Sequence, residues 1–244
     1  MPQRDLIMDS EQAKAFAYAL QAHALTISRD ATREILSSVL LETHKDGFTL
    51  TSTDSHVCLH TFHECSHELT NGLDIPLSLR FWVGGDNRHN GLRDLGKSLV
   101  KMGPIQLRTN AISQTRPEYE RVHVQIPFES ESIALPLTAT AGEDFPKYRT
   151  LFSRKEAEEA ENRGLVLSPK IMTTLGKVAT LADKAAGSNK GYFVAEPNER
   201  EGGPVRFHVP ITKTTAWHGL AMPLKFDYLA NAHLQTRPEE APNA

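Results

Sequence analysis

The chain has 244 residues, of which 39% are hydrophobic and 23% charged, with a formal net charge of -3 and two cysteines. That is enough apolar material for one large or two modest domains, and it excludes a disordered chain or a wholesale basic protein. The opening residues lack a basic stretch followed by an apolar core, and no apolar run approaches the roughly 20 residues that span a bilayer. A cytoplasmic protein without membrane contact is expected, with Cys58 and Cys65 reduced.

In chain order, the first helix is predicted from Ser10, as N-cap, to Leu25, with Ala13, Phe16, Ala17, Leu20 and Ala24 on one face and Lys14, Tyr18 and Gln21 opposite. Strands are predicted at Ile35–Glu42, Phe48–Thr53 and Val57–His63, the first two joined by an Asp46-Gly47 turn, and the unit closes near Glu64. A second unit begins with a strand at Leu77–Val83. Its helix, Asn90–Met102, turns Leu92, Leu95, Leu99 and Met102 inward and Arg93, Lys97 and Lys101 outward. Strands follow at Ile105–Thr109, Arg121–Ile126 and Ser132–Thr138.

The charged stretch 151–163 reads as a linker. A third unit has a strand at Leu165–Leu167, Ser168 as N-cap, Pro169 in the first turn and a helix to Asp183. Ile171, Met172, Leu175, Val178, Ala179 and Ala182 make its buried stripe, while Lys170, Lys177 and Lys184 recur every seven residues on another side. Strands at Gly191–Glu196, Val205–Val209 and Trp217–Pro223 complete it. Residues 227–244 read as a mobile tail. The division is therefore 1–150 as two half-units, then the linker, then a third half-unit over 164–226.

The lysine faces have two readings. A solvated face is the ordinary one for any single helix. Two such faces in equivalent places also suit sequence-independent contact with phosphates, because backbone charge attraction carries no base information. Lys14, Arg93, Lys97, Lys101, Lys170, Lys177 and Lys184 are the candidate DNA-contacting residues.

Four stretches, in the same order, resemble the bacterial sliding clamp, the beta subunit of DNA polymerase III. Ile35–Thr43 looks like the strand after the first helix of a clamp domain. Leu50–His56 resembles the clamp's Ala-Thr-Asp-Gly-His motif. Glu143–Leu151 is similar to its Phe-Pro-Asp-Tyr segment, and Leu220–Lys225 to its Met-Pro-Met-Arg end. The resemblance implies an α+β fold of repeated clamp half-domains, each an amphipathic helix on antiparallel strands. It also implies a non-enzymatic processivity factor without cofactors, a homo-oligomeric ring with helices lining double-stranded DNA, and a hydrophobic cleft for short motifs of DNA polymerase and other replication proteins.

Carried over, that cleft comprises Thr53, Ser55, His56, Val57, Pro146, Thr150, Leu151, Leu220, Met222, Pro223 and Leu224, with Lys225 at its edge. The chain departs from the pattern in having three half-units and a fragment where a full clamp has six, Ser55 where the motif has glycine, Val57 where it has arginine, and further residues beyond Met222-Pro223. A clamp-derived adaptor without ring closure is the alternative.

The enzyme alternative rests on His56, His60, His63 and His67 with Asp54, Cys58, Glu64 and Cys65, which supply the usual zinc-ligand types. Strand alternation sets His56, Cys58 and His60 on one face and His63 and Cys65 on the other, and no His-Glu-x-x-His or Cys-x-x-Cys spacing supports a site. Structural or surface histidines are the expectation. Gly84-Gly85-Asp86 and Gly202-Gly203-Pro204 read as turns.

Overall fold

The computed structural model describes residues 4–30, 32–69, 78–83, 87–109, 120–128, 131–142, 144–149, 167–188, 192–196, 203–211 and 216–223. The first unit runs β1 (Arg4–Met8), α1 (Ser10–Thr26), β2 (Val39–His44), β3 (Gly47–Thr53), β4 (Val57–Glu64) and β5 (Ser66–Leu69). The second runs β6 (Ser78–Trp82), α2 (Arg88–Leu99), β7 (Ile105–Thr109), β8 (Glu120–Phe128) and β9 (Glu131–Ala141). In the third, α3 (Pro169–Ala186) precedes β10 (Val194–Glu196), β11 (Val205–Pro210) and β12 (Ala216–Ala221).

The helices begin where side chains satisfy their first amide groups. Asp9, not Ser10, caps α1: its carboxylate accepts from the N–H groups of Glu11 and Gln12, while the Gln12 side chain accepts from the Asp9 N–H. A charged acceptor with a reciprocal partner three residues on outcompetes the serine hydroxyl. Asn87 caps α2 through the Asn90 N–H, so the helix begins at Arg88, two residues before the expected start, and Ser168 caps α3 with Pro169 in its first turn. Gly187, at φ 66°, closes α3 in the left-handed conformation that glycine adopts without steric cost.

All strand pairings described are antiparallel, in the order β10-β11-β12-β4-β3-β2-β6-β9-β8-β7-β1-β5. The first two units exchange their leading strands. β1 pairs with β7 of the second unit, and β6 pairs with β2 of the first. Each exchanged strand also pairs with the last strand of its own unit, β1 with β5 and β6 with β9. Because β5 continues β4 across Cys65, the strand path of these two units returns on itself. The third unit joins through a seam between β12 and β4.

The sheet's helix-facing side is the main core. Phe48, Leu50, Leu41, Leu79, Phe81, Ile105 and Leu107 meet Phe16 and Leu20 of α1 and Leu92, Leu95 and Leu99 of α2. On the other flank Ala19 and Ala22 of α1, with Val57 and Leu59, pack on Leu175, Val178, Ala179, Phe207 and Trp217. α1 thus lies between α2 and α3 and is buried on most of its circumference. Small residues allow this: a Cβ at Gly96 would meet the Ala17 carbonyl oxygen at 2.6 Å, so only glycine permits the observed α1–α2 approach.

Several sequence expectations change. Residues 34–37 form turns rather than the start of a strand, because Ser28 N–H donates to the Leu36 carbonyl and folds this stretch back on the end of α1. The hairpin turn is Lys45-Asp46, with Gly47 already paired to His44; a Cβ there would collide with the His63 carbonyl. Met172 is exposed, since it lies off the line set by Ile171, Leu175, Val178 and Ala182. β1 and β5 were not expected at all. The linker 151–163, the residues expected as strand at 165–166 and the tail 227–244 lie outside the described residues.

Candidate functional site

Strand alternation gives the sheet a second side, away from the helices, and the candidate cleft lies there. On β4, Val57, Leu59 and His63 point toward the helices, leaving Cys58 and His60 on the reverse side. On β12, Trp217 and Ala221 face inward while Leu220 joins Cys58, Leu40, Phe145 and Tyr148 in a separate buried cluster, with Ile35 packed against it. This cluster lies where the floor of the expected cleft would be. The Met222 N–H donates to the His56 carbonyl at 2.8 Å, continuing the β12–β4 ladder by one step and setting the Met222 side chain, 42% exposed, at the rim.

The 144–149 segment is tied down by charge. Arg80 holds the Asp144 carboxylate at 2.7 and 2.8 Å, and Glu42 accepts from the Tyr148 hydroxyl at 2.5 Å and from Arg149 at 2.8 Å. Phe145 and Tyr148 meet edge to face, and the Tyr148 ring lies 5.5 Å from that of His60. Burial, then the bond to Glu42, raises the Tyr148 hydroxyl above its ordinary pKa, so it stays a donor.

The turn before β4 is built around one carboxylate. Asp54 accepts from the N–H groups of His56 and Val57 at 2.9 and 2.8 Å, an Asx-type turn. Ser55 sits at φ 75°, left-handed space that suits the glycine of the resembling motif, and Arg33 donates to its hydroxyl at 2.8 Å. The departure at Ser55 therefore keeps the glycine-like backbone and adds a side-chain tether.

Of the expected cleft residues, Thr53 is buried beside Cys58, Ser55 and His56 are exposed on the turn, and Pro146 is exposed on the exit segment. Leu220 is floor rather than wall, at 3% exposure, and Pro223 is half-buried beside Met222. Val57 is a correction: one position of strand parity turns it into the core between β4 and α3, where it cannot line an open groove. Thr150, Leu151, Leu224 and Lys225 lie outside the described residues. Sequence reasoning missed Ile35, Leu40, Cys58, Phe145 and Tyr148 as floor residues. The signal was available in strand parity, since Leu40, Cys58 and Leu220 share the face opposite the main core.

Helices α1, α2 and α3 lie side by side across the other face of the sheet, α1 in the middle. Lys14, Lys97, Lys170, Lys177 and Lys184 are exposed along them, and Arg93 is half-exposed. Lys101 is exposed in the turn after α2, which ends at Leu99 rather than Met102. Asp94 pairs with Arg93 at 3.2 Å and Lys97 at 3.7 Å, partly offsetting the positive charge of α2.

The histidines are divided as parity requires. His63 stacks on Phe48 and lies 2.9 Å from the Thr61 hydroxyl on the helix side, while His60 bonds Thr51 and faces Tyr148 on the reverse. Burial raises the Cys58 thiol to about 12, which suits a core residue and not a thiolate ligand or nucleophile. Among the described residues no three His, Cys, Asp or Glu side chains converge as a metal would require. The His67 side chain lies outside them.

No protein-family model matches the sequence, and no curated protein does. Solved structures do. The beta clamp of Helicobacter pylori in complex with 3,4-difluorobenzamide is similar over 92% of this chain and 67% of its own, with 12% identity and TM-score 0.56. The DNA polymerase III beta subunit of Thermotoga maritima is similar over 93% and 67%, with 9% identity and TM-score 0.53. That of Borrelia burgdorferi matches over 91% and 64%, with 12% identity and TM-score 0.53. This chain has the sliding-clamp fold. It spans about two thirds of the length of these clamps, and its repeated helix-on-strands units share the fold of clamp half-domains. No described helix is long and apolar enough to cross a membrane.

Proposed function

We propose that the chain is a clamp-like platform that lies along or encircles duplex DNA by its helix face and tethers a polymerase or another replication protein through the cleft on the reverse side. The observation that supports this best is the convergence of three segments far apart in sequence. The turn at 53–57, the exit segment 144–149 and the end of β12 meet around an apolar floor, with Met222 half-exposed at the rim. A methionine there adapts to varied apolar side chains, and a short extended peptide concentrates its binding energy in a few such anchors. The clamp fold and the exposed lysines on the helix face agree with a binding protein.

The test is a titration with a short peptide carrying aliphatic and aromatic anchors of the clamp-binding type, run on the wild type and on Met222→Ala. Removing the side chain should cost about 1–3 kcal/mol of binding, roughly a five- to hundredfold loss of affinity. The thermal midpoint should move little, because the side chain is already 42% exposed. Equal affinity with a large fall in the midpoint would make Met222 a core residue and remove the cleft.

The adaptor reading without ring closure is supported by the seam. β12 pairs directly with β4, so the third half-unit abuts the first without a fourth between them. A discrete closed oligomer by native mass measurement favours the ring, and a monomer favours the adaptor.

A further inference from the structure

Apart from the cleft and the helix lysines, a hollow of about 330 Å³ opens between the end of α1 and the start of α2. Ser28, Arg29, Ser37, Arg88, His89 and Arg93 line it, with Asn87 and Asn90 at the helix start, and no carboxylate among the described residues does. We propose that this hollow is a binding site for a phosphate group.

Three guanidinium groups line one concavity, and although Glu34 and Asp94 partly offset two of them from outside it, no carboxylate among the described residues lines the hollow itself, so an anion entering it meets positive charge. Two are already fixed. Arg88 stacks 4.4 Å from the Trp82 ring, donates to the Glu34 carbonyl at 3.3 Å and lies 4.0 Å from the Glu34 carboxylate. Arg93 pairs with Asp94 at 3.2 Å. Arg29, arriving from the other side, reaches Nε2 of His89 at 3.4 Å. Ser28 and Ser37 lie in the wall with their hydroxyls tied to the adjoining turn, Ser28 accepting from the Asp30 N–H and Ser37 donating to the Asp30 and Arg33 carbonyls, and α2 points its positive end toward the same space. The forked guanidinium donors match the oxygens of a phosphate bidentately.

His89 reports the local charge. Burial first, and then Arg29 and Arg93, lower its pKa, while its bond to Asn90 and the charge of Asp94 act the other way. A bound phosphate reverses the repulsion and draws a proton onto the ring.

The experiment is calorimetric titration of the full chain with inorganic phosphate at low ionic strength, on the wild type, Arg29→Gln and Arg93→Gln, with His89 followed by proton NMR. Saturable binding should weaken about tenfold in Arg29→Gln, the loss of one charge-assisted contact, and phosphate should move the His89 titration upward. Arg29 is exposed, so this variant should fold, and Arg93→Gln provides an independent check. Short duplexes then identify the source. Competition by a 5′-phosphorylated duplex alone indicates a terminal phosphate, competition with or without it a backbone phosphate, and competition by neither a free phosphate or small ester. No saturable phosphate binding, unchanged affinity in both variants, or a His89 titration indifferent to phosphate overturns the site. Duplex retention by the helix lysines is a separate readout, so failure here would leave the DNA reading standing.

Discussion

His63 lies within the helix-side core, stacked on Phe48 and edge-on to Phe16, and burial, reinforced by His60, pushes its pKa down to about 3. His60 falls to about 4, again mainly through burial, and His23, held between the Ser52 and Thr61 hydroxyls at 2.7 and 3.0 Å, is lowered well below its ordinary value. The folded protein thus keeps these rings neutral where the unfolded chain protonates them near 6.5. Between pH 6.5 and about 4 the unfolded state binds more protons, so stability present at neutral pH declines as the solution is acidified. Thermal melts from pH 7.5 to 4.5 should show that decline, and His63→Leu should make it shallower; equal slopes in both proteins would remove His63 from the account. At this scale the sequence was informative only with strand parity applied. Alternation divided His60 from His63 correctly, yet Val57 was assigned to the groove by motif likeness when parity alone placed it in the core.

Among the elements, the three helices were legible because each carries an apolar stripe of helical period and a capping side chain. Their ends moved by a few residues where a stronger acceptor, such as Asp9, displaced a weaker one. β1 and β5 were not legible. Arg4–Met8 is short, and Ser-His-Glu-Leu at 66–69 is mostly polar, so neither shows a strand's alternation; both exist because partner strands supply their hydrogen bonds. The seam between β12 and β4 depends on Gly219, where a Cβ would collide with the Phe207 ring and approach the Cys58 carbonyl oxygen at 2.6 Å. Gly219→Ala should therefore destabilise the fold by about 1–3 kcal/mol, read from urea unfolding, because the opposing atoms include backbone that cannot rotate away. A neutral result would mean that the third unit is docked more loosely than the β12–β4 register indicates.

For the whole molecule, the exchange of leading strands between the first two units pairs Arg4 with Thr109 on one side and Val39 with Phe81 on the other, and no local pattern announces it. Half-unit repetition was legible, as was the order of four short motifs, which together indicated the clamp fold at 9–12% identity. The three segments of the proposed cleft come from those motifs, but the apolar cluster beneath them depends on a sheet reverse side defined only once the strands are paired. The helix face was legible as charge and not as function, since a solvated lysine and a phosphate contact are written with the same letters.

Whether the helix face contacts DNA is decided by retention of the protein on circular and linear duplex DNA as salt is varied, with the wild type and the combined Lys97→Glu, Lys170→Glu and Lys177→Glu variant. Sequence-independent retention that falls steeply with salt is predicted, and the three reversals should reduce the log–log salt slope by roughly 2–3 and abolish retention at moderate ionic strength. Loss from linear but not circular DNA would indicate encirclement, and equal loss from both a platform lying along the duplex. No duplex binding at low salt, or retention unchanged by the reversals, would contradict the account.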